Sequence, residues 1–238
     1  MLSIAHPAIR FPLIVMAAAF AIWAGQTGLA GIYQFQAQSH FETWQNLRNS
    51  KVGYQVSATE YQQVSDKYRQ SIAFTPYNAD FYTAFADMQI WYLANTPNIP
   101  FNTQKAIKEE ILTGYRSALA KRPTWPYSHI AFAVIKARFG DIDAEFIKSL
   151  HEANRLGKNE ADVIRITIEL GLELWSKLDS DSHKLVANAV ERSISWNLNE
   201  QLNTKERIFA LSLVGMYHKQ KEICALMSAE NQQKSNMC

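Results

Sequence analysis

From Phe11 to Phe41 the chain carries no Asp, Glu, Lys or Arg. The densest apolar part is Phe11 to Ala24, and apolar patches continue to Ile32 and Tyr33. Wound as a helix, residues 11–33 rise roughly 35 Å at ~1.5 Å per residue, enough to cross a hydrocarbon layer of about 30 Å. Trp23 and Tyr33 suit the edges of such a layer. Only Arg10 and the α-amino group supply positive charge at the near end, which favours a cytoplasmic N-terminus with everything after residue 33 outside. A cleaved secretory signal, cut near Gly28-Leu29-Ala30, and a buried core helix are the competing readings. An uncleaved anchor is the expectation, because the span is long enough. No Cys near residue 30 supports a lipid anchor.

The chain as a whole is balanced in charge. Lys and Arg total 24 and Asp and Glu 22, a formal net charge of +2. Nucleic-acid grips need a basic excess, so that partner class is set aside. Gly (9) and Pro (7) are too scarce for a turn-rich β sandwich or barrel. Helix start signals recur instead. Ser57 with Glu60 has capping-box form, and Asn203 ahead of Glu206 is a looser version. Asn78, Asn102 or Thr103, Asp143 and Asn159 are cap candidates, Pro126 suits a first helical turn, and Gly140 and Gly157 suit helix ends. Pro97 and Pro100 bar a continuous helix between them.

The helices carry a repeat. A small residue is followed five positions later by a stop: Ser71 by Pro76, Ala118 by Pro123, and Ala153 by Lys158 beside Gly157. Tyr68 and Tyr115 precede the first two small residues by three. A tetratricopeptide unit of about 34 residues has this form: the small residue lets two antiparallel helices approach, and the stop redirects the chain. The next helices carry bulky residues at matching offsets, Tyr82, Phe85 and Ala86, then His129, Phe132 and Ala133. A weaker fourth unit is expected over 182–198 and 205–219. The fold class expected is therefore all-α, an N-terminal transmembrane helix followed by a tetratricopeptide-like solenoid of antiparallel helical repeats. Its parts are an anchor or signal (1–33), a connecting segment (34–56), the helical domain (57–227) and a flexible tail (228–238).

Chemistry-bearing patterns are sparse. Asp141-Ile142-Asp143 resembles a nucleotide-sugar metal motif in spacing, but no α/β nucleotide-binding domain is readable, and the same residues suit a helix entry. The six histidines have no i,i+4 metal arrangement with a third ligand. No metal, cofactor or catalytic residue is expected. Cys224 and Cys238 could pair in an oxidising compartment, but Cys238 is the last residue and mobile, so a disulfide is not expected. In the repeat frame, first helices line a concave groove, which would place Trp91, Tyr127, Arg138, Arg165 and Glu169 there as binding candidates. Arg165 and Glu169 also form an i,i+4 pair.

The run Arg122-Pro123-Thr124-Trp125-Pro126-Tyr127, with Ala153, Leu156-Gly157, Asn159-Glu160 and Leu174-Trp175, resembles the VpsP-type proteins of bacterial exopolysaccharide biosynthesis clusters. Lys158 departs from that pattern, where Pro is common. The resemblance implies a membrane-anchored helical protein that helps make or export a surface polysaccharide outside the cytoplasmic membrane. With the anchor and the repeat frame, it leads to a non-enzymatic adaptor as the expected function. Its partners would be proteins of a polysaccharide assembly or export complex, and the membrane through residues 11–33. It would sit in the bacterial inner membrane, N-terminus cytoplasmic and soluble domain periplasmic. The alternative is a glycan-binding module that takes polysaccharide in the groove.

Overall fold

A computed structural model describes residues 7–195, 200–235 and 237–238. Among these residues every regular element is a helix. The chain divides into two compact units, Met1–Lys121 and Arg122–Cys238.

The first unit contains α1 (Pro7–Ser50), α2 (Ala58–Phe74), α3 (Ala79–Asn95) and α4 (Phe101–Lys121). α1 pairs with α2 and α3 with α4, and α2 packs on α3. The apolar run of α1 lies bare from Phe11 to Leu29, and lateral packing begins at Ala30. α1 is the one helix among the described residues that is long and apolar enough to cross a membrane. It does not end near Tyr33: no Pro interrupts it beyond Pro12, and it continues through residues 34–50, where a connecting segment was expected. Ala30, Ala37, Phe41 and Trp44 lie on one face and are buried. Burial of Phe41 stabilises this seam by on the order of 2 kcal/mol. Tyr33 stacks on Phe74 of α2 at 5.9 Å.

The start signals work as local chemistry requires. Ser57 Oγ accepts from the Glu60 N–H at 3.2 Å while Glu60 Oε2 accepts from the Ser57 N–H at 2.9 Å, a complete capping box. The Ser57 hydroxyl bond holds the Glu60 carboxyl below its ordinary value. Asn78 caps α3 by accepting from the Asp80 N–H. The prolines Pro97 and Pro100 fall in the α3–α4 turn, with Asn98 in the left-handed region at φ 60°.

The second unit contains α5 (Pro126–Arg138), α6 (Ala144–Leu156), α7 (Ala161–Glu173), a 3-10 turn at Trp175–Lys177, α8 (Ser180–Ser195), α9 (Glu200–Met216), α10 (Gln220–Leu226) and α11 (Ala229–Ser235). α5 pairs with α6 and α7 with α8. α8 packs more on α7 than on α9, so it completes the α7 hairpin rather than opening a fourth pair. Residues 196–199 of that expected fourth unit lie outside the described residues. Asp143 caps α6, accepting from the Glu145 and Phe146 N–H groups. Asp179 accepts from the Ser182 N–H at 2.8 Å at the start of α8. Asn159 does not cap α7; Glu160 takes that position without a side-chain cap bond. Asn203 lies inside α9 rather than ahead of it. Within the tail expected to be flexible, α11 forms, and a disulfide joins Cys224 to Cys238.

The repeat residues share a physical role. Ser71, Ala118 and Ala153 are all fully buried late in the second helices α2, α4 and α6. Tyr68 donates to Gln38 Oε1 at 3.1 Å and Tyr115 to Asp87 Oδ1 at 2.9 Å. Each tyrosine thus reaches from the second helix of its hairpin to the first. Glycine has an equivalent use at the α7–α8 crossing, where a Cβ on Gly171 would meet Val186 Cγ2 at 2.1 Å.

Candidate binding grooves

Five side chains were expected to line a groove, and the structure treats them differently. Trp91 lies in the first unit, against α1: its ring meets Phe41 edge-on at 5.8 Å and stacks on Trp44 at 6.4 Å. The Trp91 ring is thereby a brace that holds α1 to α3. The other four lie in the second unit, on its first helices α5 and α7.

Tyr127 sits in the first turn of α5 and donates its hydroxyl to Glu160 Oε2, at the entry of α7, at 2.7 Å. That bond raises the tyrosine hydroxyl above its ordinary value. The Trp125 ring lies tilted beside Tyr127 at 5.4 Å. Pro126 is buried, and a Cβ on Gly157 would meet its Cβ at 2.8 Å, so the proline and the glycine let α5 and the end of α6 close together.

Arg138 and Glu169 do come together. They line a groove of about 450 Å³ between α5 and α7. Its floor is apolar: Val134 and Ala137 from α5, then Ile166, Leu170 and Leu174 from α7 and its exit. Arg138 stands on the α5 side, Glu169 and Glu173 on the α7 side. No ion pair closes Arg138 to either glutamate among the described residues. An apolar floor flanked by opposite charges fits an apolar stripe with charges on its two margins.

Arg165 does not pair with Glu169. Its guanidinium lies 5.1 Å from the Phe209 ring of α9, and its nearest carboxylate is Asp162 at 3.9 Å. The next helix over competes with the i,i+4 partner and wins, since a cation over an aromatic face gains about 0.5–1 kcal/mol at an exposed site.

Three polar clusters escape reading along the chain. Lys136 is buried on α5, and its ammonium donates to Asp143 Oδ2 at 2.9 Å and Glu145 Oε2 at 2.8 Å. Burial works against the Lys136 charge, but the two carboxylate bonds outweigh it and raise its pKa. Burial likewise opposes ionisation of Asp143, yet the bonds from Lys136 and the α6 amides hold its carboxyl below the ordinary value. In the first unit, Arg69 grips Glu110 through two bonds of 3.0 and 3.1 Å, and Gln89 donates to the same carboxylate at 2.6 Å. The third cluster joins Thr167, Asn154 and Arg192. Signals for these existed only as scattered polar residues on otherwise apolar faces; their partners lie seven to 41 positions away in the sequence.

Asp143 gives its carboxylate to a helix start, as expected for the Asp141-Ile142-Asp143 stretch, and Asp179 does the same at α8. Among the described residues no group of three or more His, Cys, Asp or Glu side chains is placed to hold a metal ion. No protein-family model matches the chain, and no curated protein matches it significantly.

Proposed function

We propose that this chain is a membrane-tethered, non-enzymatic helical adaptor that holds a protein partner of surface-polysaccharide assembly or export, outside the cytoplasmic membrane. The observation that carries the reading is α1 itself. One helix passes without a break from a bare apolar run to a face packed on α2. A signal cut near Ala30 would leave the packed face of α1 intact, so the uncleaved anchor rests on the length of the bare run, which suffices to span a hydrocarbon layer. The disulfide between Cys224 and Cys238 supports an extracytoplasmic setting, because disulfides persist in oxidising compartments. The recurring hairpins, with their buried small residues and cross-hairpin tyrosines, support the tetratricopeptide-like solenoid as the frame. The α5–α7 groove supports protein docking over glycan docking there: its floor is five apolar side chains, suited to the apolar stripe of an amphipathic helix.

The test is crosslinking of the full chain in native membranes from a photoreactive residue at position 166, on that floor. Capture of polymerase, ligase or export components, lost in an Ala137→Glu variant, is the expected result. No captured component, together with unchanged surface polysaccharide in a deletion strain, overturns the reading.

A further inference from the structure

α6 and α8 line a second, open groove of about 470 Å³. Arg192 of α8 lines it and is held by three bonds. Nε donates to the Asn188 carbonyl at 3.2 Å, one terminal nitrogen to the Lys158 carbonyl at 2.9 Å, and the other to Asn154 Oδ1 at 2.7 Å. Asn154 is itself fixed. It is buried and donates to Thr167 Oγ1 at 2.7 Å and to the Leu150 carbonyl at 3.0 Å, while Thr167 donates onward to the Val163 carbonyl. With both amide hydrogens committed, its oxygen faces Arg192.

All three acceptors of Arg192 are neutral. Guanidinium has five N–H groups, so one remains on each terminal nitrogen. Among the described residues no carboxylate lies within ion-pair distance of Arg192. The other cation of the groove is neutralised: Arg155 binds Glu152 at 2.6 and 3.0 Å. A half-buried cation with a rigid seat, spare donors and no carboxylate beside it can receive an anion through charge-assisted bonds. Burial, with no opposing carboxylate, is also what lowers the Arg192 pKa.

The walls narrow the class of anion. Of the seven lining residues only Leu185 is apolar. Protein hot spots want aromatic or aliphatic anchors at their centre, which this groove does not offer. It offers hydrogen-bonding edges set among the carbon stems of the same side chains, a mixed surface that suits the hydroxyls and C–H faces of a sugar ring. The Asn188 amide supplies a donor and an acceptor, His151 is held by Ser182 at 3.1 Å, and the Glu152 carboxylate retains acceptor capacity. Its volume falls in the range of small-ligand sites, roughly 300–1,000 Å³. We infer that the α6–α8 groove binds a sugar acid, whose carboxylate Arg192 receives and whose hydroxyls meet Asn188, His151 and Glu152. The ligand is either a free monomer or a residue within a chain; the chemistry recognised is the same. The inference stands on this groove alone and holds whether or not the α5–α7 groove takes a protein.

The experiment is calorimetric titration of the full chain in non-ionic detergent with glucuronate, oligogalacturonate, glucose and a Glu-rich peptide. Saturable binding of at least one of the two acidic sugars, with none of glucose, is expected. Binding of the monomer points to a free acid, and binding of the oligomer alone to a chain. Arg192→Gln should weaken binding about tenfold or more, as for loss of a charge-assisted bond. Because Arg192 also ties α8 to α6, Asn188→Asp is the decisive partner: its carboxylate sits one helical turn from Arg192 and competes for its spare donors from within. Asn188→Asp should weaken binding to a similar extent while leaving the thermal midpoint unchanged or higher. Failure of both acidic sugars to bind, equal binding of glucose, preference for the peptide, or full affinity in Asn188→Asp each overturns the inference.

Discussion

Gly171 allows α7 and α8 to touch, and adding one methyl there tests how firmly the second unit depends on that contact. A Cβ at residue 171 would lie 2.1 Å from Val186 Cγ2, 3.0 Å from its Cγ1 and 3.1 Å from its Cβ. Ordinary carbon contacts are about 3.5–4.0 Å, so the helices must part by roughly 1.5 Å. Val186 cannot rotate away: it is β-branched, fully buried, and presents both methyls to the same point. Overpacking of this kind costs about 1–3 kcal/mol, and a clash this deep belongs at the upper end. Ala gains about 1 kcal/mol over Gly in a helix interior. The net for Gly171→Ala is a loss of about 1–2 kcal/mol. Gly215→Ala in α9 is the control, since its new methyl meets nothing closer than Gln220 Nε2 at 3.7 Å. That variant should be unchanged or gain up to about 1 kcal/mol. The assay is urea unfolding of the full chain in detergent, followed by helical circular dichroism. Val186→Ala should cost about 2 kcal/mol alone yet rescue part of the Gly171→Ala loss, giving a coupling of about 1 kcal/mol or more. A Gly171→Ala variant as stable as the parent, or strict additivity with Val186→Ala, refutes the close-crossing argument.

Packed neighbours strip enough water from the Asp87 carboxyl to raise its pKa even though the residue keeps an exposed flank, and its bond from Tyr115 opposes the shift. A carboxyl raised in the folded state favours folding below its unfolded pKa near 4 and loses that contribution as pH climbs through the folded value. Asp87→Asn keeps an acceptor for Tyr115, so at neutral pH it should match or exceed the parent in thermal midpoint and flatten the acid-side pH dependence. Asp143 has the opposite sign: its lowered pKa contributes stability above about pH 4 that fades as pH falls, and Asp143→Asn should remove that dependence in a pH series of melting curves. Cys224→Ser opens the loop that closes on Cys238, and for a loop of about 15 residues the chain-entropy model gives a loss of about 3 kcal/mol; limited proteolysis should then release α11 first. Reporter fusions at residues 5 and 40 should read cytoplasmic and extracytoplasmic respectively, and equal signals at both sites would contradict a spanning α1.

Local chemistry is what reads well along the chain. The Ser57–Glu60 box, Asn78, Asp143 and the two prolines of the α3–α4 turn act within four residues of themselves, and they appear where expected. The buried Ser71, Ala118 and Ala153 were legible because helix closeness needs a small side chain wherever it occurs. Partner choice between helices was not legible. Nothing within α7 alone says that Arg165 lies over Phe209, 44 positions on, rather than reaching Glu169. Trp91 reads as a groove aromatic until α1 is seen to continue to Ser50 and cover it. Both grooves are products of two helices each, so their linings are split between segments far apart in sequence, and Arg192 gives no signal until Asn154 and the Lys158 carbonyl are brought to it.

Placed across a bilayer, the bare stretch of α1 from residue 11 to residue 29 measures about 28 Å at ~1.5 Å per residue, close to the hydrocarbon thickness, so little tilt is demanded. The same rod then forms the spine on which α2 lies. Between lipid and protein core no proline interrupts it, and Gly28 and Gly31 there stay within the helix. Any lean imposed by a thinner membrane, or by a neighbouring span, passes into the first unit as rotation of that unit, and a proline inserted near residue 31 would uncouple the two.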